Sequence, residues 1–279
     1  MNIDYICFSC DDSDMYSDFW NPISKFWKTK VGIHPVLLHY GSRDDLSTEF
    51  GDIYRVGVHP EIPSYMVGCW GRFWLASNFD EKVCTIGDID LILLNFDIFY
   101  SEMEKYEDNA YVHLSADSYF KNDFSKWENR FEKFSAAYHT AKGCVFKKAL
   151  QIEDDFYQEM FRYKSFDFSS AKCHEQENHG YAVHYEPHLI HASKHMGGNW
   201  GQDEYIATEM VRQYKEQGGL VSVGHSMQIP EKRLDRSNWN YNEEEVVNGF
   251  YNDSHLLRPY KQNKEEIDKL LNLMRPYDG

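Results

Sequence analysis

The sequence of 279 residues has no apolar segment that approaches the length needed to cross a membrane. Residues 1–6 also lack the basic stretch, followed by an apolar one, with which a cleavable signal peptide begins. We therefore expect a soluble cytoplasmic protein without a transmembrane segment. The sequence has no internal repeat and no low-complexity tract, and its length suits one large α/β domain, with or without an elaborated C-terminal half.

Positive charge is scarce. Lys and Arg together number 29 against 45 Asp and Glu, which gives a formal net charge of −16. Such a charge repels nucleic acid and anionic membrane surfaces, so we expect no nucleic-acid partner. A polyphosphate ligand would need a bound cation nearby to offset the negative charge of the protein.

Cysteine is sparse, and the residues are scattered, several of them within apolar runs. We interpret them as reduced core residues. Cys7 and Cys10 have the spacing of a redox or zinc pair, but no second pair accompanies them, so this interpretation has little weight. The six are Cys7, Cys10, Cys69, Cys84, Cys144 and Cys173.

The central feature that is present is an apolar, β-branched run over residues 83–95, which predicts a buried strand. Two carboxylates, Asp88 and Asp90, interrupt the run, and strand alternation would turn them to the same side. Ionised carboxylates are costly to bury unless they are paired or bind a cation, and Mg²⁺ or Mn²⁺ prefers such oxygen ligands. The run therefore indicates a divalent metal site. The alternative is a strand end whose acids simply meet water.

Strands alternate with helices along the chain, which predicts a parallel, doubly wound α/β sheet with ligands beyond the carboxyl ends of its strands. A loop region is expected over residues 164–201, and a polar segment that wraps the domain after residue 230. A strand, a turn and a short helix are expected within residues 131–149. Other strands are predicted at 5–9, 34–39, 53–58, 110–114 and 220–223, and helices at 15–28, 63–79, 97–106, 153–163, 201–217 and 265–274.

In the order of these parts, from about residue 5 to 260, the chain resembles the metal-dependent nucleotide-sugar glycosyltransferases of the GT-A fold. The parts that carry the resemblance are the β-α start, the helix with Arg72, the segment Asp88-Ile89-Asp90, the later Asp203-Glu204, and His255 near the C-terminus. The resemblance implies a GT-A-like (Rossmann-like), mostly parallel central sheet flanked by helices. It also implies one domain over residues 1–279, with a nucleotide-sugar-binding half over about 1–115 and an acceptor-binding half over about 116–279.

The function implied by the resemblance is transfer of a sugar from a UDP- or GDP-linked donor to a glycan or another hydroxyl acceptor, with Mn²⁺ or Mg²⁺. Asp88 would contact ribose or metal, Asp90 would ligate the metal, and His255 would complete the metal shell. His225 is an alternative to His255, because the residues that follow His255 depart from the family pattern.

Donor binding involves further residues. Arg72 and Arg258 are expected to bind the diphosphate, and each has an alternative as a solvated surface arginine. Phe8, Ser9, Asp11 and Tyr40 lie where the first two predicted strands end, the side on which a nucleotide would lie. The alternative for these four is a strand-end turn and a helix cap.

Asp203 and Glu204 begin a predicted helix, where the helix dipole favours negative charge, so capping alone could explain one of them. The resemblance implies a role for this acid in catalysis. In inverting members of the family it deprotonates the acceptor hydroxyl, and in retaining members it contacts the sugar. We favour Asp203 as the base, with Glu204 as the alternative.

Histidines are concentrated in residues 174–195, and His184, His188, His191 and His195 would share one face of a continuous helix. Such a face could bind Zn²⁺, and one alternative function is therefore a metal-dependent hydrolase or phosphotransferase. Pro187 argues against the continuous helix, and an acceptor surface or a solvated loop remain alternatives. Carbohydrate binding without catalysis is a further alternative function. Trp239 is either an aromatic residue of the acceptor site or a core residue.

Overall fold

The computed structural model describes residues 1–114, 134–166 and 202–278, which form two sheets and the helices around them. The strands are β1 Tyr5–Asp11, β2 His34–Tyr40, β3 Asp52–Val56, β4 Val83–Ile86, β5 Leu91–Leu93, β6 Tyr111–His113, β7 His139–Lys142, β8 Val221–Val223, β9 Arg233–Asp235 and β10 Asp253–His255. The helices are α1 Trp20–Phe26, α2 Ser64–Ser77, α3 Phe96–Met103, α4 Gly143–Ala149, α5 Phe156–Lys164, α6 Gln202–Glu216, α7 Glu243–Val247 and α8 Lys264–Leu273.

The central sheet has seven strands in the order β3-β2-β1-β4-β7-β6-β8. It is mostly parallel, and β7 is the strand that runs antiparallel to both of its neighbours. A hydrophobic core lies on each face of this sheet. The side chains of β1 alternate between the two cores, with Ile6 and Phe8 in one and Cys7 in the other. Both faces of the sheet are therefore covered, as the predicted α/β class requires. The result is a mixed α/β architecture that is compatible with a Rossmann-like fold.

Helix α2 packs closely on β1 and β2 because Gly71 has no side chain. A Cβ at Gly71 would lie 2.7 Å from the Leu38 side chain and 3.3 Å from Ser9. The helix occupies Ser64–Ser77, within the predicted range of 63–79, and buries Trp70 and Phe73 against the sheet. This close approach brings the next residue, Arg72, to the carboxyl end of β1.

The prediction of one continuous strand over residues 83–95 is wrong. The chain leaves the central sheet after Ile86, and Leu91 N donates to Asp88 O at 2.9 Å, which closes a turn. Strand β5 then joins β10 in the second sheet. The break falls at the carboxylates because they find arginine partners in this turn, whereas a buried strand interior would leave them unpaired.

The second sheet has the order β5-β10-β9, and it anchors the C-terminal segment to the rest of the domain. Strands β9 and β10 have three residues each and α7 has five, which is too short for a periodic sequence pattern, so they were not predicted. The closing helix was predicted at 265–274 and is found at Lys264–Leu273, with Ile267, Leu270 and Leu271 buried. The segment after residue 230 therefore wraps the domain but is more ordered than its polarity indicates.

The first helical segment begins later than predicted. A 3₁₀ turn at Ser17–Phe19 precedes α1, and a π-helical turn at Trp27–Val31 follows it. The segment ends at Gly32, whose φ of 88° lies in the left-handed region that glycine adopts without strain.

Cys7, Cys10, Cys69 and Cys84 are buried free cysteines, and Cys144 is free but exposed. Within residues 1–114, 134–166 and 202–278, no helix has the length and apolar character of a membrane span. Cys173 and the histidine cluster of residues 174–195 lie outside the described residues.

Candidate functional site

A cavity of about 390 Å³ opens at the carboxyl ends of β1 and β4. Strand β1 has β2 on one side and β4 on the other, so the chain reverses its direction of winding here, where α/β sheets bind ligands. Most of the residues predicted from the sequence line this cavity. They are Ser9, Asp11, Arg72, Asp88, Asp90, Asp203, Glu204, His255 and Arg258.

Arg72 is buried between two carboxylates, so its alternative interpretation as a solvated surface arginine is wrong. Its Nη1 donates to Asp88 Oδ1, and its Nη2 donates to Asp203 Oδ2 at 3.0 Å. The hydroxyl of Ser9 accepts from the backbone N–H of Arg72 at 3.1 Å and donates to Gly68 O at 2.9 Å. Two carboxylates offset the cost of burying the guanidinium, and we call Arg72, Asp88 and Asp203 the Arg72 cluster.

The carboxyl group of Asp203 is almost fully buried at the beginning of α6. Burial raises its pKa to about 7, against the opposing effect of the Arg72 charge. A carboxyl group with this pKa exchanges a proton near neutral pH, as a general acid or base must. Its neighbour Glu204 also lines the cavity, and Glu204 Oε1 accepts from the Ala136 N–H at 3.3 Å.

Asp90 has a different environment from Asp88. It is 2% exposed, and three cationic or polar side chains converge on its Oδ2. Arg236 Nη1 lies at 2.8 Å, Arg258 Nε at 3.2 Å and His255 Nε2 at 3.3 Å. Burial alone raises the pKa of Asp90, but the His255 hydrogen bond and the two arginine charges outweigh it and lower the pKa to about 2. We call these four residues the Asp90 cluster.

His255 is held from both sides. Its Nδ1 lies 3.5 Å from Asp235 Oδ2, and its Nε2 lies 2.6 Å from Arg236 Nη1. Burial lowers its pKa, but the hydrogen bonds to Asp235 and Asp90 dominate and raise it. A carboxylate behind the imidazole is the usual partner of a metal-binding histidine, because it fixes the ring orientation.

The side chains of Asp88, Asp90 and His255 fit a hard divalent cation, since two carboxylates and one carboxylate-supported imidazole suit Mn²⁺ or Mg²⁺. The described part of the chain does not, however, contain three or more His, Cys, Asp or Glu side chains already gathered around one point. In the Asp90 cluster, the Arg236 guanidinium contacts both Asp90 and His255.

Phe8 and Tyr40 lie in the interior rather than along the cavity. Phe8 is fully buried beside the Trp27 ring, and the Tyr40 hydroxyl donates to Ile62 O at 3.1 Å. Their strand positions end near the cavity, but their side chains point into the two cores. His225, the alternative to His255, is another described residue outside the cavity lining, and its N–H donates to Glu102 Oε2 at 3.1 Å.

Sequence reasoning missed Tyr16 and Arg236, which both line the cavity. The Tyr16 hydroxyl accepts from Arg258 Nη1 at 2.5 Å, and its ring centroid lies 5.1 Å from the Arg258 guanidinium carbon. The sequence signal for Arg236 was its position next to Asp235. The segment was considered only because Trp239, three residues later, could lie in the acceptor site. Trp239 itself packs against the core and against Tyr241.

Comparison with known proteins adds no further assignment, since no protein-family model matches the chain and no curated protein sequence matches it either.

Proposed function

We propose that this protein is a GT-A-like glycosyltransferase that moves a sugar from a UDP- or GDP-linked donor to a hydroxyl group of a glycan or another acceptor. The observation that carries the proposal is one cavity, at the winding reversal of the central sheet, that combines the Arg72 cluster with the Asp90 cluster. The first supplies a carboxyl group that can accept a proton, and the second supplies cationic groups for a leaving diphosphate. An inverting glycosyl transfer uses both at once.

The arginines of the cavity would bind the diphosphate of the nucleotide-sugar donor. A diphosphate carries negative charge that planar guanidinium groups bind through paired N–H donors. Arg236 and Arg258 reach the cavity from the Asp90 cluster, and Arg72 reaches it from the other side. Within the described residues, the Nε of Arg72 is buried without a hydrogen-bond partner.

A divalent cation would be held by Asp88, Asp90 and His255. When bound, such a cation acts as a Lewis acid that stabilises the negative charge developing on the leaving phosphate oxygen. Asp235, whose Oδ2 lies 3.5 Å from Nδ1 of His255, would keep the His255 ring oriented towards the cation.

The transfer itself exchanges one bond to the anomeric carbon. In the inverting version, the acceptor oxygen forms its bond to that carbon while the bond from the carbon to the phosphate oxygen breaks. The electron pair of the broken bond leaves with the nucleoside diphosphate, and the acceptor proton passes to the carboxylate of Asp203. Arg72 positions that carboxylate through the 3.0 Å hydrogen bond. Glu204 is the neighbouring alternative to Asp203.

The test is a panel of UDP- and GDP-sugars with and without Mn²⁺, read by thermal unfolding and by release of nucleoside diphosphate. Ligand at one hundred times its Kd stabilises the native state by about 2.7 kcal/mol, which gives a readily measured increase in Tm. We expect at least one nucleotide to raise Tm with Mn²⁺ present and its sugar donor to be consumed. No change in Tm with any nucleotide would contradict the proposal.

A further inference from the structure

Arg236 occupies the point at which a cation bound by Asp90 and His255 would make its contacts. Its Nη1 lies 2.8 Å from Asp90 Oδ2 and 2.6 Å from His255 Nε2. One nitrogen of the guanidinium thus contacts both of the side chains that fit a metal ion. Arg236 begins the 3₁₀ turn Arg236–Asn238, directly after β9.

Asp235 fixes both partners of this contact. Its Oδ1 accepts from the Ser237 N–H at 2.8 Å, which caps the turn that carries Arg236. Its Oδ2 lies 3.5 Å from Nδ1 of His255. The Nε2 of His255, which faces Arg236 Nη1 at 2.6 Å, is the other ring nitrogen and the one that a metal ion would use.

The arginine is better able to move than the carboxylate. The side chain of Asp90 is 3% exposed, whereas that of Arg236 is 30% exposed at the edge of the cavity. The guanidinium can therefore turn into the cavity while Asp90 stays in place. Arg258 is less suited to such a movement, because its Nε contacts Asp90 while its Nη1 donates to Tyr16.

We propose that Arg236 is an exchangeable counter-ion, which holds Asp90 and His255 before ligands bind and moves onto the donor diphosphate when a divalent cation replaces it. The inference rests on the proposed function. Its consequence is a coupling between the two ligands. Binding of the cation alone leaves Arg236 without its carboxylate partner, and a bound diphosphate provides a new anionic partner. Each ligand therefore strengthens binding of the other.

The test measures Mn²⁺ affinity by electron paramagnetic resonance of the free ion, with and without UDP or GDP. The variant is Arg236→Gln, and the control is Arg275→Gln, which makes the same change in charge on an exposed side chain outside the cavity lining. We expect Arg236→Gln to bind Mn²⁺ alone about tenfold more tightly than wild type, a change within the usual range of coupling energies. Its affinity for the nucleotide without Mn²⁺ should be lower, and Arg275→Gln should match wild type.

A second variant, Arg236→Lys, keeps the charge but loses the planar fork, and we expect Mn²⁺ to bind it about threefold more tightly than wild type. This variant decides the question if Arg236→Gln fails to fold, as judged by circular dichroism. Unchanged or weaker Mn²⁺ binding in the folded variants overturns the inference, even if wild type binds nucleotide. Wild-type protein that binds neither UDP nor GDP at any Mn²⁺ concentration overturns the proposed function as well.

Discussion

The Arg72 cluster and the Asp90 cluster combine carboxylates with cationic side chains in opposite proportions. In the first, one guanidinium lies between two carboxylates, and in the second, one carboxylate lies among two guanidinium groups and an imidazole. Asp203 accordingly has its pKa raised to about 7, and Asp90 has its pKa lowered to about 2. Both are buried, so the neighbouring charges separate their pKa values: three cationic groups surround Asp90, whereas Glu204 and Asp88 oppose the effect of Arg72 on Asp203.

This difference also explains why Asp88 and Asp90, one residue apart, are not equivalent. The turn between β4 and β5 directs Asp88 to Arg72 and Asp90 to the C-terminal arginines. Asp88 keeps about a third of its side chain exposed, whereas Asp90 is enclosed. The two carboxylates thus join the N-terminal and C-terminal parts of the chain at one cavity.

The largest effect is expected from removing the charge at the centre of the Asp90 cluster. Asp90→Asn leaves Arg236, Arg258 and His255 without their shared anion and removes a proposed metal ligand. We expect a loss of roughly 10³-fold in donor turnover, as for loss of a group that stabilises developing charge. The folded state should also be less stable, because breaking a buried ion pair is costly.

Steady-state kinetics and thermal unfolding check the Asp90→Asn prediction. The matched control is Asp44→Asn, the same substitution at an exposed position outside the cavity lining, which should leave both quantities close to wild type. If Asp90→Asn turns over the donor as fast as Asp44→Asn does, the contrast between the clusters has no functional meaning.

An intermediate effect is expected from pH, through the Arg72 cluster. Because Asp203 must be ionised to accept a proton and its pKa is about 7, kcat/KM should fall about tenfold for each pH unit below 7. This step should vanish in Asp203→Asn and persist in Glu204→Gln. The opposite pattern would assign the base to Glu204.

The same pKa has a consequence for stability with a definite sign. An unfolded Asp titrates near 3.9, so the folded protein binds more protons than the unfolded chain between about pH 4 and 7. The contribution of Asp203 to stability therefore falls as the pH rises through this window. Asp90 has a lowered pKa, so its contribution is present above about pH 4 and is lost as the pH falls towards 2. The Tm of Asp203→Asn should lack the first of these trends.

The smallest effect on ligand binding is expected at Phe8, which the structure assigns to the core. Phe8→Leu should lower the free energy of unfolding by about 1–2 kcal/mol, as a buried large-to-small change does. Its affinity for UDP or GDP should stay within about twofold of wild type, since Tyr16 and not Phe8 lines the cavity. Tyr16→Leu should show the weaker nucleotide binding that Phe8→Leu lacks. A large loss of affinity in Phe8→Leu would return Phe8 to the ligand site.

The sequence was sufficient for the elements that carry strong periodicity. Helix α2, the closing helix α8 and the first strands were predicted within a few residues, because each buries a regular apolar pattern. It was not sufficient for the break after Ile86. The apolar run continues through residues 91–94, and only the tertiary contacts of Asp88 and Asp90 with distant arginines make a turn preferable to a strand.

The site could be predicted in part for a similar reason. Asp88 and Asp90 were identified from their spacing, Asp203 and His255 from the family resemblance, and all four lie at one cavity. Arg236 was not identified, because its position next to Asp235 was its only signal, and its contacts with Asp90 and His255 depend on the tertiary structure. Phe8 was assigned to the nucleotide because its strand ends at the cavity, whereas the facing of its side chain depends on how both cores pack.

The most direct test of the whole account is a crystal structure of the protein with Mn²⁺ and UDP or GDP. The account predicts a diphosphate in contact with Arg236 and Arg258, beside a cation bound by Asp90 and His255. A diphosphate bound away from the Asp90 cluster, or a cavity that binds neither nucleotide, would contradict it.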